Sequence, residues 1–525
     1  MKRLILLCDG TLEDADRQPD EARITNIARL SRAIVEMDRR DGKEVEQVKL
    51  YQSGVGTDET GAGSLITGAL GRGMMEKVKD LHDFLAINWE QGDEIYVFGF
   101  SRGAYIARLL ACLVDIIGLL PPRQYLHLFP RIFEALDAHT GKGDDDDRKA
   151  IQSIRALLSP LERVRSAQRA HTDGFLIECV GAFDTVGTRG RPSFLRSAGF
   201  SAVPDPPAVA RAELNSFGLP SSHVPGCVRL ALQALALDEH RKDYAPVLWR
   251  RWQKGDAVGE RAARQREEQG QWVEQVWFAG AHADIGGGYA EGDLSFLALQ
   301  WMISRTSKNL AIDDRYLEHI YSRTTALWGE MEPHQSRVDE FRLAPAMDRT
   351  PPSLPVDPCT SQWLHVSLLS QPRAHLRPEV AALLYPPQHA LFDLLGEEEL
   401  RLRSEWADPV VRVRPTLPRV MTAPAALRGG DADKKGSGKK RGDEKDAPAR
   451  KERPSSVTSF TDNEDSPPAS PASPSLSPRP SPPSSAADDA LTALRGRQGT
   501  RRSSPLRRAW DRVEQTALEH ARRWA

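Results

Sequence analysis

The sequence predicts an α/β fold, a mainly parallel sheet with helices on both faces. Two observations carry the prediction. Through about residue 306, short continuous apolar runs alternate with segments of helical period, the pattern of parallel strands joined by helical crossovers. The polar motifs at Asp9, Ser101, Asp184 and His282 also each fall where an apolar run ends. In such sheets ligands lie beyond the carboxyl ends of the strands, and decorative loops would have no reason to gather there.

The elements follow in chain order. Residues 3–7 are a short apolar run, expected of a parallel strand covered on both faces. The run ends in Cys8-Asp9-Gly10-Thr11, a turn. Residues 25–39 place Ile27, Leu30, Ile34 and Val35 on one helical face. Residues 48–51 read as a strand that opens into the glycine-rich loop 54–63, and 73–89 read as a helix. Residues 131–171 form a helical, highly charged surface insertion with an acidic run at 144–147. Residues 175–183 are a strand. The Pro, Ser and Phe-rich segment 190–226 is long for a connection and is a candidate lid or pocket wall. Residues 228–240 read as a helix, 275–281 as a strand and 294–306 as a helix.

Residues 94–120, EIYVFGFSRGAYIARLLACLVDIIGLL, organise the rest. A buried strand runs into Gly99-Phe100-Ser101-Arg102-Gly103 and then an apolar helix. Gly-x-Ser-x-Gly in that context is a nucleophile elbow, which pushes a serine hydroxyl out of the sheet at a helix N-terminus. The flanking glycines let strand and helix backbones approach. The elbow makes the predicted fold α/β-hydrolase-like.

Residues 307–415 are a C-terminal extension of the 1–306 core, mixed in character, with helical stretches at 378–384 and 389–395. From 422 to 504 Lys, Arg, Asp, Gly, Ser and Pro dominate. Such a tail buries too little apolar surface to offset its chain entropy and is predicted to be disordered. Residues 505–525 carry Trp510, Val513, Leu518 and Trp524 among arginines, a candidate short amphipathic helix for a peripheral membrane or protein contact.

With 71 basic against 73 acidic residues, no global field selects nucleic acid. The five cysteines are odd in number and lack CxxC spacing, which suits buried thiols in a reducing compartment. Asp9 ends the first apolar run too early for a signal peptide, and 105–120 is short for a membrane span and carries Arg108 and Asp115. The expectation is a cytoplasmic protein. CDGT shares Asp-Gly-Thr with haloacid-dehalogenase-like phosphatases, but Leu7 stands where their nucleophilic aspartate belongs. The loop 54–63 has neither P-loop nor dinucleotide-binding spacing. No cofactor and no metal is expected.

A serine nucleophile needs a base and an orienting acid, and in hydrolases of this fold the chain order is Ser, acid, His. His282 is the expected base, after a strand and within a glycine-rich loop. His240, expected to cap a helix C-terminus, and His365, in the strand-like Leu364-His365-Val366, are weaker alternatives. Asp184 is the expected acid, with Asp284 and Asp238 as second choices and Glu239 behind them. The oxyanion hole is expected from the backbone N–H of Arg102 and another from the Gly10–Thr11 turn, with Asp9 ordering that turn. The reaction expected is hydrolysis of a carboxylic ester. The alternative is a non-catalytic hydrolase fold kept for interactions, with the basic tail recruiting partners.

The motifs CDGT (8–11), TNIARL (25–30), YQSGVGT (51–57), GFSRGAYIARLL (99–110), FDTVG (183–187), LALDEHR (235–241) and VWFAGAHADIGGGY (276–289) occur in one order. Together they resemble the DUF2235 family of α/β-hydrolase domains, which includes Tle1-type phospholipase effectors and many fungal proteins. The resemblance spans roughly residues 1–306. It implies a serine hydrolase with Ser101, Asp184 and His282 at the triad positions and an ester or phospholipid substrate. Leu12 departs from the family's aromatic residue after DGT. The basic Ser/Pro-rich tail resembles that of fungal members rather than of secreted bacterial effectors, so type VI secretion is not implied.

Overall fold

Nine strands build one sheet in the computed structural model. They are β1 (Lys2–Cys8), β2 (Met37–Asp38), β3 (Val45–Gln52), β4 (Glu94–Phe100), β5 (Ile177–Phe183), β6 (Val228–Ala236), β7 (Trp272–Phe278), β8 (Gln362–His365) and β9 (Phe392–Asp393). Their spatial order is β2-β3-β1-β4-β5-β6-β7-β8-β9. Every pairing among them is parallel except β2 with β3. The structure describes residues 1–10, 20–54, 69–121, 127–132, 134–135, 152–172, 174–187, 223–251, 270–338, 342, 345–384, 391–393, 395–404 and 406. Thr11, Leu12, most of the glycine-rich loop and of the candidate lid, the acidic run and the whole of 407–525 lie outside them, so the expectations for the tail and its terminal helix do too.

The helices used below are α1 (Asn26–Ala33), α2 (Ala69–Asn88), α3 (Arg102–Ile117), α4 (Glu162–His171), α5 (His282–Gly286), α6 (Asp293–Thr306), α7 (Asp314–Tyr321), α8 (Pro378–Leu384) and α9 (Glu397–Ser404). Alternate residues of each strand feed opposite layers. On one face Ile5, Leu7, Tyr96, Phe98 and Phe100 join a core with Ile27 and Leu30 of α1 and Trp301 and Met302 of α6. On the other, Leu4, Leu6, Ile95 and Val97 pack with Val78, Leu81 and Leu85 of α2 and Leu109, Leu110 and Leu113 of α3. A sheet buried on both faces needs strands apolar throughout, which is why these runs are continuous rather than alternating.

The chain leaves β1 toward β3 on one side and later adds β4 on the other. The order therefore reverses at β1, which makes the carboxyl ends of β1 and β4 a topological switch point. Ser101 follows β4 and Asp9 follows β1. Backbones there are in contact: a Cβ on Gly103 would lie 2.2 Å from the Cys8 carbonyl oxygen and 2.4 Å from that of Asp9. One on Gly99 would meet the Gly103 oxygen at 2.5 Å.

Several expectations are corrected. Residues 228–236 form β6, not a helix. Leu, Ala and Gln are good helix formers, but Leu232, Ala234 and Ala236 fill one layer while Val228 and Ala231 fill the other. Burial on both sides between β5 and β7 overrides propensity. Gln233, fully buried there, is satisfied by Thr185 Oγ1, the Val247 carbonyl and Gln275 Oε1. Helix α1 stops at Ala33, and Met37–Asp38 pair with β3. Phe392–Asp393 are strand β9 where a helical stretch was expected, and β8 and β9 extend the sheet past β7.

The added strands are tied down by charge. Arg305 at the end of α6 donates to Glu274 at 2.9 Å and to Asp393 at 2.7 Å, with Glu399 at 3.7 Å. His365 is buried, 2.7 Å from Glu399, as a structural histidine. Burial drives the Asp393 carboxyl well above the usual range against the pull of Arg305, and the neighbouring Glu274 adds to the rise. All described residues fall in a single compact unit.

Close packing at the switch point sets a test. Gly103→Ala should destabilise the fold by about 3 kcal/mol, the upper end of overpacking costs, because its neighbours are backbone and cannot turn aside. Urea unfolding measures this; an unchanged midpoint would contradict the packing described.

Candidate active site

Ser101 occupies the turn between β4 and α3 with φ 58° and ψ −122°, a conformation that residues with a side chain rarely adopt. The turn is held by Ser101 N–H donating to the Phe183 carbonyl of β5 at 3.0 Å and Tyr105 N–H donating to the Ser101 carbonyl at 3.2 Å. The hydroxyl does not cap α3. Arg102 is the first residue of α3, where a backbone N–H has no intrahelical acceptor. Its guanidinium is half-buried and makes no hydrogen bond or ion pair among the described residues. Burial lowers its pKa to about 10, so it stays charged at neutral pH.

Asp184 follows β5, also at positive φ (42°), and is fully buried. Its Oδ2 lies 2.5 Å from His282 Nδ1. Arg349 donates to both carboxylate oxygens, at 2.6 and 3.0 Å, and Ala236 N–H to Oδ1 at 3.1 Å. Burial alone would raise the carboxyl. The Arg349 charge and the His282 hydrogen bond outweigh it and hold Asp184 below the usual carboxylate range.

His282 opens α5 just past β7. Three carboxylates shape its loop. Gly280 N–H donates to Asp238 at 2.7 Å, Ala281 N–H to Asp284 at 2.8 Å and His282 N–H to Glu239 at 3.3 Å. The imidazole packs on Phe100, the residue before Ser101, at 4.7 Å between centroids, and meets the edge of Tyr244 at 5.0 Å. Its Nε2 is buried and has no hydrogen-bond partner among the described residues.

The second-choice acids do other work. Asp284 accepts from the His334 N–H at 3.0 Å and lies 2.6 Å from His334 Nδ1. Asp238 braces Gly280 and faces Arg377 at 3.6 Å. Neither contacts the His282 ring. Glu239 pairs with Arg241 at 2.8 Å. His240 caps no helix, since it follows a strand; its Nδ1 lies 2.7 Å from Asp348.

Asp9 is buried and ties three sequence motifs together. It accepts from Gly10 N–H, Thr25 Oγ1 and Tyr51 OH, each at 2.7 Å. Thr25 in turn caps α1 through Ala28 N–H. Asn26 donates to the carbonyls of Ile285 and Ser295, both at 2.8 Å, fastening α1 to the end of the His282 loop. The Gly10 N–H is thus already committed to Asp9, and Thr11 lies outside the described residues. Among the described residues no group of three His, Cys, Asp or Glu side chains could hold a metal ion, and no helix is long and apolar enough to cross a membrane.

Sequence reasoning missed Arg349, Tyr244 and His334. Arg349 lies 165 residues from Asp184, in a proline-rich stretch without period, so no local pattern marked it. His334 carries a pH test. Burial lowers its pKa, but the Asp284 hydrogen bond and charge win and raise it. A raised value means the pair stabilises fully below the unfolded histidine value of about 6.5 and fades as pH rises through the folded value. His334→Gln should lower Tm by about 2 °C more at pH 6 than at pH 9; an equal loss at both would contradict the pairing.

The model of the family described as "T6SS, Phospholipase effector Tle1-like, catalytic domain" matches residues 2–305, more than half of the chain. The chain is also 33% identical over 132 residues to Uncharacterized protein YEL023C of Saccharomyces cerevisiae, covering 23% of this chain and only 18% of that protein. A solved structure, of an uncharacterized protein from Pseudomonas aeruginosa, is similar at 16% identity and a TM-score of 0.31, over 60% of this chain and 47% of that one. By the extent of the family match, the chain belongs to the Tle1-like phospholipase effector catalytic domain family.

Proposed function

We propose that the protein is a serine hydrolase that cleaves the carboxylic esters of phospholipids. One observation carries this reading: an imidazole packed on the residue before Ser101, bonded through Nδ1 to a buried carboxylate, with Nε2 left unpaired. In resting enzymes the bond between nucleophile and base is often open and tightens only with substrate.

In the proposed reaction Ser101 Oγ attacks the acyl carbonyl as His282 Nε2 takes its proton. Asp184, kept ionised, holds the tautomer with the proton on Nδ1 and stabilises the imidazolium. The oxyanion of the tetrahedral intermediate takes the backbone N–H of Arg102 and, with Gly10 committed to Asp9, the Thr11 side of that turn. Collapse expels the lysolipid alcohol, which takes the proton from His282. Water, deprotonated by the same imidazole, then attacks the acyl–Ser101 ester; the acyl–Oγ bond breaks, Ser101 Oγ takes the proton back from His282, and the free acid leaves. The family points to a lipid substrate. The unpaired Arg102 guanidinium, one residue from the nucleophile, favours an ester that also carries an anion such as a headgroup phosphate.

A fluorophosphonate probe and mixed micelles of phosphatidylcholine test the reading together. Ser101→Ala should lose labelling and lower hydrolysis at least about a thousandfold, the scale of triad removal. Undiminished hydrolysis by folded Ser101→Ala would overturn it.

A further inference from the structure

We infer that Arg349 is a positioning residue of the reaction centre, so that the segment following the family-matched region supplies part of the machinery. The inference rests on the Ser101–His282–Asp184 reading above.

Four donors reach the Asp184 carboxylate, two on each oxygen. His282 Nδ1 and one Arg349 nitrogen meet Oδ2; the other Arg349 nitrogen and Ala236 N–H meet Oδ1. An ionised carboxylate has about four lone-pair sites, so the set is complete. With each oxygen gripped, the carboxylate cannot swing away from the imidazole without breaking a charged hydrogen bond. Arg349 is itself aimed from behind, since it donates to the carbonyls of Ala236 at 2.8 Å and Tyr244 at 2.6 Å. Tyr244 also meets the His282 ring in a T-shaped contact.

The segment bearing Arg349 is fixed independently. Arg377 donates to the Arg349 carbonyl at 2.9 Å and to the Leu237 carbonyl at 3.1 Å. Lys242 N–H bonds the Pro345 carbonyl at 3.0 Å, and Met347 N–H the His240 carbonyl at 2.9 Å. This lacing explains LALDEHR. Asp238 and Glu239 hold the His282 loop, while the backbones of His240 and Lys242 receive the incoming strap. Arg349 lies beyond residues 2–305, where the family match ends, yet its fork completes the acid.

Lysine can supply the charge but not the planar two-pronged fork. Alanine leaves a space that a free guanidinium ion fits. The test uses full-length protein and a soluble short-chain ester, reading kcat and KM separately, alongside the rate of fluorophosphonate labelling. Arg349→Lys and Arg349→Ala should each lower kcat about 100-fold, the cost of a displaced catalytic group, with KM within about threefold. Guanidinium chloride at low concentration should restore Arg349→Ala at least about tenfold while leaving Arg349→Lys unchanged, since only the former has room for a replacement fork. Wild-type kcat in a folded Arg349→Lys, or a loss in Arg349→Ala that guanidinium does not restore, would overturn the inference. If Arg349→Ala does not fold, Arg349→Lys decides alone. Ser101→Ala separates the two readings. Labelling that persists in Ser101→Ala would remove the serine mechanism itself. Labelling that needs Ser101 but ignores Arg349 would remove only the present inference.

Discussion

A carboxylate with no access to water must be matched by charge and hydrogen bonds, and Asp184 is such a group. Removing one partner of a buried ion pair typically costs about 3–5 kcal/mol. That penalty obliges the structure to bring Arg349 to the site, and Arg349 obliges the chain to return across the ends of β5, β6 and β7 after the core has been laid down. The same carboxylate fixes His282 Nδ1. Its partner Nε2 then has one direction left in which to find a donor. The chain from Pro345 to Arg349, together with Arg377, is arranged around this one satisfied anion.

The second constraint is contact between backbones at the switch point. Gly99 and Gly103 let β4, α3 and the turn after β1 touch, which leaves Ser101 at positive φ. Asp9 then knits that turn to α1 and β3 through Thr25 and Tyr51. The two constraints meet at Phe100, whose ring carries the imidazole on one side of the elbow and lies against Gly286, where a Cβ would come within 1.9 Å of it.

Much of this was legible in the sequence, and the reasons it was, or was not, are physical. Strands β1 and β4 announce themselves because continuous apolar runs suit a sheet covered twice. Asp9, Ser101, Asp184 and His282 stand out because parallel strands put polar turns at one rim. β6 did not read as a strand, because its Ala, Leu and Gln prefer helices and only its neighbours on both sides decide otherwise. α1 appeared too long because Ile34 and Val35 continue its apolar stripe, although Ile34 is the extended C-cap and bridges to Ile312. Asp284 and Asp238 competed with Asp184 as acids because proximity in sequence to a histidine says nothing of which way a carboxylate faces. Arg349 was invisible, since an ion pair made across the whole fold leaves no periodicity behind.

The most direct measurement of the central claim is the far-downfield proton NMR spectrum of protein carrying 15N-labelled histidine. A His282 Nδ1–H donating to an ionised, water-free Asp184 should give a strongly deshielded resonance coupled to nitrogen, absent from His282→Gln and from Asp184→Asn. A spectrum without that resonance, or one in which it survives Asp184→Asn, would contradict the pairing from which the site has been built.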